Sequence, residues 1–326
     1  MKDDVLVTVC CMTYNHEKYI KQTLEGFVNQ KTNFKFEVLV HDDASTDNTQ
    51  KIIKEYEKKY PDIIKATYEK ENQYSKVGKM IPLMLDQVKG KYFALCEGDD
   101  YWCDENKLQI QVDIMEKDED ITLCFHDSKI ITDSKQKIKN FFCSQKNDGY
   151  IPTEMFIEKG GQFCPTASLM FRSENMKKLP DYYMKSNVGD YPLQLYNSSC
   201  GKAYYINKKM CAYRYIVNGD SWSSKFNKYL EKRINNHLNE IEWLLMFNEE
   251  TNEKYKKSVY KRICLNYINL INLDKKNKKE YLKKYRNYSK IIGIKSKMKN
   301  DILILKSMVP KKIKKFIKKI IGKENE

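Results

Sequence analysis

Glycine is scarce in this chain, with 12 among 326 residues. Neither G-x-G-x-x-G nor a Walker-type G-K-[ST] occurs. The backbone cradles that hold phosphates in dinucleotide oxidoreductases and P-loop enzymes are therefore missing. The 10 cysteines include no Cys-x-x-Cys pair, and their spacing to the 4 histidines supplies no zinc ligand set. Cys10, Cys11, Cys96 and Cys124 sit inside apolar runs and read as reduced, buried thiols. No apolar run is long enough for a transmembrane helix. No signal-peptide core precedes the first strand-like segment, so a cytoplasmic location is expected.

What remains is 41% hydrophobic and 32% charged, enough for one large domain with an appendage. The formal net charge of +15 is unevenly spread. Residues 275–326 hold 19 Lys or Arg against 4 Asp or Glu, so the rest of the chain is balanced. Such a basic tail points to an anionic lipid surface or nucleic acid. Ile313, Phe316, Ile317, Ile320 and Ile321 fall at helical spacing after Pro310, with lysines between them. That strip suits an anionic bilayer, and without interleaved aromatics nucleic acid is not expected as a partner.

Apolar runs at Val5–Met12, 36–41, 63–68, 92–96 and 121–126 alternate with helical periods at 18–30, 47–59, 80–88 and 105–117. This grammar predicts βαβ units and a mostly parallel α/β sheet flanked by helices. Residues 133–160 read as irregular, 163–172 as a strand, 191–200 as a helix, and 203–215 as a strand pair or bent strand. From about Lys225 helical periods dominate. The expected divisions are a catalytic domain over 1–222, a helical extension over 223–298 and a membrane-associating tail over 299–326.

Two of the strands run into acid clusters. Val38–Leu39–Val40–His41 leads into Asp42–Asp43–Ala44–Ser45–Thr46–Asp47, and Tyr92–Phe93–Ala94–Leu95–Cys96 leads into Glu97–Gly98–Asp99–Asp100. Ionised groups are poor core material, and ligands of open α/β sheets bind at the carboxyl ends of strands. Clustered oxygens at that edge suit a hard divalent cation carrying phosphates.

In order along the chain, Met12–Thr13–Tyr14–Asn15, Asp42–Thr49 and Glu97–Gly98–Asp99–Asp100–Tyr101–Trp102 resemble the family 2 glycosyltransferases of GT-A fold, over roughly residues 4–220. The resemblance implies transfer of one sugar from a nucleotide-sugar donor, with inversion, using Mn²⁺ or Mg²⁺. It implies that Thr13, Tyr14 and Asn15 pack around the nucleobase and ribose, and that Asp43 accepts from uracil. Glu97 stands where the family commonly has Asp and would meet the ribose. Asp99 is the first choice as metal ligand and Asp100 the alternative. Asp190, in Val188–Gly189–Asp190–Tyr191–Pro192, resembles the base that deprotonates the acceptor hydroxyl, although an Asp there also serves as a helix cap. Arg214 could contact the diphosphate. Trp102, His126, Thr166 and Ser168 are candidates to face donor sugar or acceptor.

The Gln-x-x-Arg-Trp motif of the processive synthases is absent, so a single transfer is expected. The implied acceptor is a saccharide or polyprenyl-linked saccharide in bacterial surface-polysaccharide assembly, at the inner face of the membrane. Two other readings stand beside this one: a sugar-nucleotide or polysaccharide-binding protein with a degenerate site, and a nucleotidyltransferase.

Overall fold

The apolar run Val5–Thr13 forms β1 at the centre of the sheet. Val7, Val9, Cys10 and Cys11 are all buried, as expected of a parallel strand covered on both faces. The computed structural model describes residues 4–132, 142–143, 145–215 and 229–308. The chain divides at Ser224/Lys225 into two compact units.

In the first unit the elements follow as α1 (Ile20–Val28), β2 (Lys35–Asp42), α2 (Thr49–Lys59), β3 (Ile64–Tyr68), α3 (Tyr74–Val77), α4 (Ile81–Met84), β4 (Tyr92–Leu95) and β5 (Tyr101–Trp102). After these come α5 (Lys107–Lys117), β6 (Ile121–Thr132), β7 (Gly149–Ile151), α6 (Thr153–Lys159), β8 (Met170–Arg172), α7 (Ser173–Met176), α8 (Asp181–Lys185), α9 (Asp190–Cys200) and β9 (Lys202–Tyr215). The sheet order is β3-β2-β1-β4-β8-β6-β9-β5, with β7 pairing β9. The ladders β1–β2, β1–β4, β2–β3 and β6–β9 are parallel. The antiparallel ladders are only two or three residues long. The fold is thus the expected α/β sheet with flanking helices.

This order places the site. Thr13 pairs with Asp42 and Cys10 with Leu95, so the segments after β1, β2 and β4 leave the same edge. Strand order runs outward from β1 through β2 and β3 on one side and jumps to β4 on the other. The crevice beyond β1 and β4 is therefore a topological switch point, where such sheets bind ligands. Helix α1 packs its Ile20, Leu24 and Phe27 stripe into the core beneath it.

Two expectations fail locally. Residues 163–172 are not one strand, because 3₁₀ turns at Gly161–Phe163 and Thr166–Ser168 precede the short β8. Pro165 lies between them and has no N–H for a ladder. Within 133–160, read as irregular, β7 and α6 are ordered elements. Residues 203–215 form one strand, and its register against β6 shifts around Asp127.

The second unit is helical: α10 (Leu230–Glu250), α11 (Lys256–Leu273), α12 (Lys278–Ser289) and α13 (Ile294–Met308). Trp243, Leu244 and Phe247 of α10 are buried, as are Ile263, Leu270 and Ile271 of α11. A polar knot ties these two helices. Glu240 accepts from Arg262 Nε at 2.5 Å and Asn266 Nδ2 at 2.9 Å, and His237 Nδ1 meets Asn266 Oδ1 at 2.7 Å. Among the described residues no helix is long and apolar enough to cross a membrane. The strip from Pro310 to Ile321 lies outside the described residues.

Candidate active site

Loop closure begins at the end of β1. Asn15 has φ of 55° and Ala44 a φ of 63°, a left-handed conformation that Asn tolerates and Ala resists. Both are locked by hydrogen bonds between the two loops. Asn15 N donates to Ser45 Oγ at 2.8 Å and Thr46 N to Asn15 Oδ1 at 2.8 Å. His16 N donates to Thr49 Oγ1 at 2.8 Å and Glu17 N to Asp47 Oδ2 at 3.1 Å. Ser45, Thr46 and Asp47 thus bind loop to loop. Tyr14 is exposed at the rim, and Thr13 is buried with Oγ1 3.1 Å from His16 Nδ1.

The first acid cluster serves backbone. Asp42 Oδ1 accepts from Ser45 N at 3.0 Å and Gln50 Nε2 at 2.6 Å. Asp43 accepts from Gln73 N at 2.5 Å and Tyr74 N at 3.0 Å, closing the turn into α3.

The second cluster is held by its backbone. Gly98 N donates to Met12 O at 2.9 Å, and Thr23 Oγ1 donates to Gly98 O at 3.0 Å and Asp100 O at 2.6 Å. A Cβ at Gly98 would lie 2.7 Å from Thr13 Cβ and 2.8 Å from His16 Nδ1, so only glycine lets the turn sit so low on β1. Asp100 is buried. Its Oδ1 accepts from Arg214 N at 2.9 Å, and Oδ2 has no partner. Burial, then Asp99 and Glu97, push its carboxyl well above the usual range. Burial, then Asp99 and Asp190, do the same to Glu97.

Asp190 opens α9, with its carboxylate on the N–H groups of Asp190 and Tyr191. Its charge is felt by Glu97, so β4 and α9 bring their acids to one place. Burial raises Asp190 above the ordinary carboxylate range, and Lys79 opposes that rise. Lys79 is buried, donates to Val188 O and lies 4.7 Å from the centre of the Tyr183 ring. Burial holds its ammonium down to about 8. The sequence singled out neither Lys79 nor Thr23. Only the partners distinguish Lys79 from the other lysines.

Three candidates, Trp102, Ser168 and His126, are corrected. Trp102 is a core residue: Nε1 donates to Ala167 O at 2.8 Å, and its ring meets Phe27 edge-on at 4.8 Å. Ser168 is fully buried, donating to Pro165 O at 2.7 Å. His126 is fully buried with Nδ1 2.8 Å from Asp127 O, and burial drives its pKa well below the usual value, so it is neutral. Arg214 is turned to the protein. It donates to Asp99 O and Gln22 Oε1, between the rings of Tyr19 and Tyr101 at 5.0 and 4.6 Å. Thr166 is half-buried in the 3₁₀ turn.

A cavity of about 970 Å³, lined by Val5, Lys35, Lys89 and Arg172 among others, opens at the opposite, amino-terminal ends of the strands. The acids lie away from it.

The residues fit a divalent cation in one specific way. Among the described residues no three His, Cys, Asp or Glu side chains form a closed metal cage. Asp99 and the unpartnered Asp100 Oδ2 offer one or two oxygens. Mg²⁺ is commonly bound so, with substrate phosphates and waters completing the shell.

Comparison with known proteins decides the family. The profile described as Glycosyl transferase family 2 matches residues 8–179. The chain belongs to this family. An uncharacterized protein of Mycobacterium tuberculosis, Rv1520, is 32% identical over 234 residues, 70% of this chain and 64% of that one. The chain thus spans under two thirds of that relative's length. The poly(ribitol-phosphate) beta-N-acetylglucosaminyltransferase TarS of Staphylococcus aureus is 27% identical over 268 residues, 73% of this chain and 44% of that one. The crystal structure of TarS 1–349 in complex with UDP-GlcNAc superposes with a TM-score of 0.64 at 14% identity, covering 93% of this chain and 89% of that one. A mannosyltransferase from Pyrobaculum calidifontis, in complex with GDP-Man and Mn²⁺, gives a TM-score of 0.51 at 14% identity, covering 94% and 89%. These superpositions show that the fold is shared.

Proposed function

We propose that this family 2 glycosyltransferase moves one sugar, with inversion, from a nucleotide-sugar to a saccharide or lipid-linked saccharide in surface-polysaccharide assembly. The observation that carries the reading is that Asp190 lies near enough to the Glu97–Asp100 turn, at the switch point of the sheet, for its charge to act on Glu97. UDP is the favoured nucleotide, supported by the UDP-GlcNAc complex of TarS. The acceptor class is supported by TarS and by a putative teichuronic acid biosynthesis glycosyltransferase of Bacillus subtilis, TuaG, 33% identical over 110 residues (34% of this chain, 42% of that one).

Asp190 takes the proton of the acceptor hydroxyl. The oxygen forms its bond to the anomeric carbon on the face opposite the diphosphate, whose bond to that carbon breaks. Nucleoside diphosphate leaves without needing a general acid. Asp99, with Asp100 behind it, would hold Mn²⁺ or Mg²⁺, which neutralises the diphosphate's charge. Thr13, Tyr14, Asn15 and Asp43 receive the base and ribose, with Glu97 on the ribose. Arg214 fixes the acidic turn by gripping the Asp99 carbonyl. Lys79 is a positioning residue: it holds the Val188 carbonyl and favours ionised Asp190. Catalysis is assigned to residues 1–222, the helical extension to 223–298, and attachment to the inner membrane face to the basic tail.

Asp190→Asn tests this. It should retain nucleotide-induced thermal stabilisation and lose transfer by about 10²–10⁴-fold, the scale of a general base. Undiminished transfer would remove Asp190 as base. Binding without turnover in the parent protein would favour a binding protein instead.

A further inference from the structure

Helix α13 is amphipathic twice over. Asn300 and Ile304 are buried, and Asp301 Oδ1 accepts from Tyr285 OH at 2.7 Å, so one face is docked on its own unit. Ile294, Met298 and Ile302 recur every four residues and form a separate stripe. They are 80%, 60% and 49% exposed. Ile291, in the turn before the helix, is also exposed. Lys290, Lys297 and Lys299 are exposed around them. Asp301, the one acid of the helix, is engaged by Tyr285.

An apolar stripe edged by lysines matches the interface of an anionic bilayer. The charge also argues against a second copy as occupant, because pairing these faces would bring the exposed Lys290, Lys297 and Lys299 of each copy together. We propose that the Ile294–Met298–Ile302 face of α13 is a bilayer contact of the folded protein, additional to the basic tail. The inference rests on the membrane placement proposed above and gives it a structured anchor.

The test uses full-length protein, sedimented with vesicles of phosphatidylcholine alone or with added phosphatidylglycerol. Three variants are compared with the parent: I294S/M298S/I302S, a deletion of 309–326, and both together. The parent should bind only the anionic vesicles. The triple variant should bind them at least tenfold more weakly with an unchanged melting curve and unchanged donor hydrolysis, and the deletion should keep part of the binding. Met298→Trp should show quenching by brominated anionic lipid beyond that of the parent. Parental binding by the triple variant would overturn the stripe. So would a shift of the parent from dimer to monomer on making it. Loss of all binding on tail deletion alone would overturn the stripe while sparing the membrane placement. A parent that ignores both vesicles would overturn both, and transfer activity would remain to be judged by Asp190.

Discussion

Replacing Gly98 by alanine tests whether the height of the acidic turn above β1 matters. The added Cβ would sit 2.7 Å from Thr13 Cβ and 2.6 Å from Thr13 Oγ1. Comfortable carbon contacts lie at ~3.5–4.0 Å, so something must move by roughly 0.8 Å or more. Thr13 is held in the ladder to β2 opposite Asp42, so its Cβ cannot retreat far. The turn therefore rises, straining the Gly98 N to Met12 O bond of 2.9 Å. Overpacking of this kind costs about 1–3 kcal/mol of stability. The functional effect should be larger, because misplacing a reacting constellation by ~1 Å can cost about 100-fold. The assay is donor hydrolysis or transfer per folded molecule, with the melting temperature measured in parallel. Ile53→Val, buried in α2 away from the turn, is the control and should cost ~0.5–1.5 kcal/mol without changing turnover. If Gly98→Ala retains turnover within twofold, the position of the Glu97–Asp100 turn does not govern the chemistry, and the site assignment is wrong.

Asp190 must be ionised to act, and burial raises its pKa, so turnover should fall with acid from above the ordinary carboxylate range. Lys79, held to about 8, should impose an alkaline limb as it loses its proton. Lys79→Met should lower kcat with little change in donor affinity and abolish that limb, while Lys79→Arg should move it out of range; a parental profile in both would dismiss Lys79 as a positioning residue. Chelation by EDTA, or Asp99→Asn, should reduce turnover by about 10²–10³-fold, with Mn²⁺ restoring only the chelated parent; full activity in EDTA would contradict metal use. In the helical unit, Glu240→Leu removes the acceptor shared by Arg262 and the buried Asn266 and should cost about 1–3 kcal/mol, read as a lower melting transition. Burial lowers the pKa of His237, so the unfolded chain takes a proton below about pH 6.5 that the folded one refuses. Stability should therefore decline as pH falls through that region, and His237→Gln should flatten the decline.

The parallel strands were legible because a strand covered on both faces must be apolar almost throughout, as Val5–Met12 and Tyr92–Cys96 are. Their acid-bearing ends were legible for the same reason, since charge beside such a run stands out. Pairings remote in sequence were not. In the sequence Arg214 suggests only a diphosphate contact; β9 pairs antiparallel with β5, Tyr101 opposite Ala212, and that brings its guanidinium onto the Asp99 carbonyl. Trp102 follows the acid motif whether it lines a site or fills a core, and its indole bond to Ala167 decides for the core. Lys79 carries no local signal at all, because its meaning lies in Val188 and Tyr183, more than 100 residues away.

The two acid clusters look alike in sequence, and the structure separates them by what answers their charge. Asp42 and Asp43 accept four donors between them from nearby backbone and Gln50. Their negative charge is used to shape loops, although Asp42 Oδ2 is, like Asp100 Oδ2, buried without a partner. At the second cluster the charge of Asp99 raises both Glu97 and Asp100, and that of Asp190 raises Glu97. Lys79 and the Arg214 backbone N–H answer Asp190 and Asp100, and Asp100 Oδ2 stays unpartnered. Like charges gathered in a partly buried site raise one another's pKa until a cation or a proton relieves them. A proton would silence Asp190, whereas a divalent ion brought in with a diphosphate leaves it free to act as base. On the proposed reading, the same electrostatic deficit would draw a metal to the turn after β4 and leave Asp190 at the start of α9 ionised.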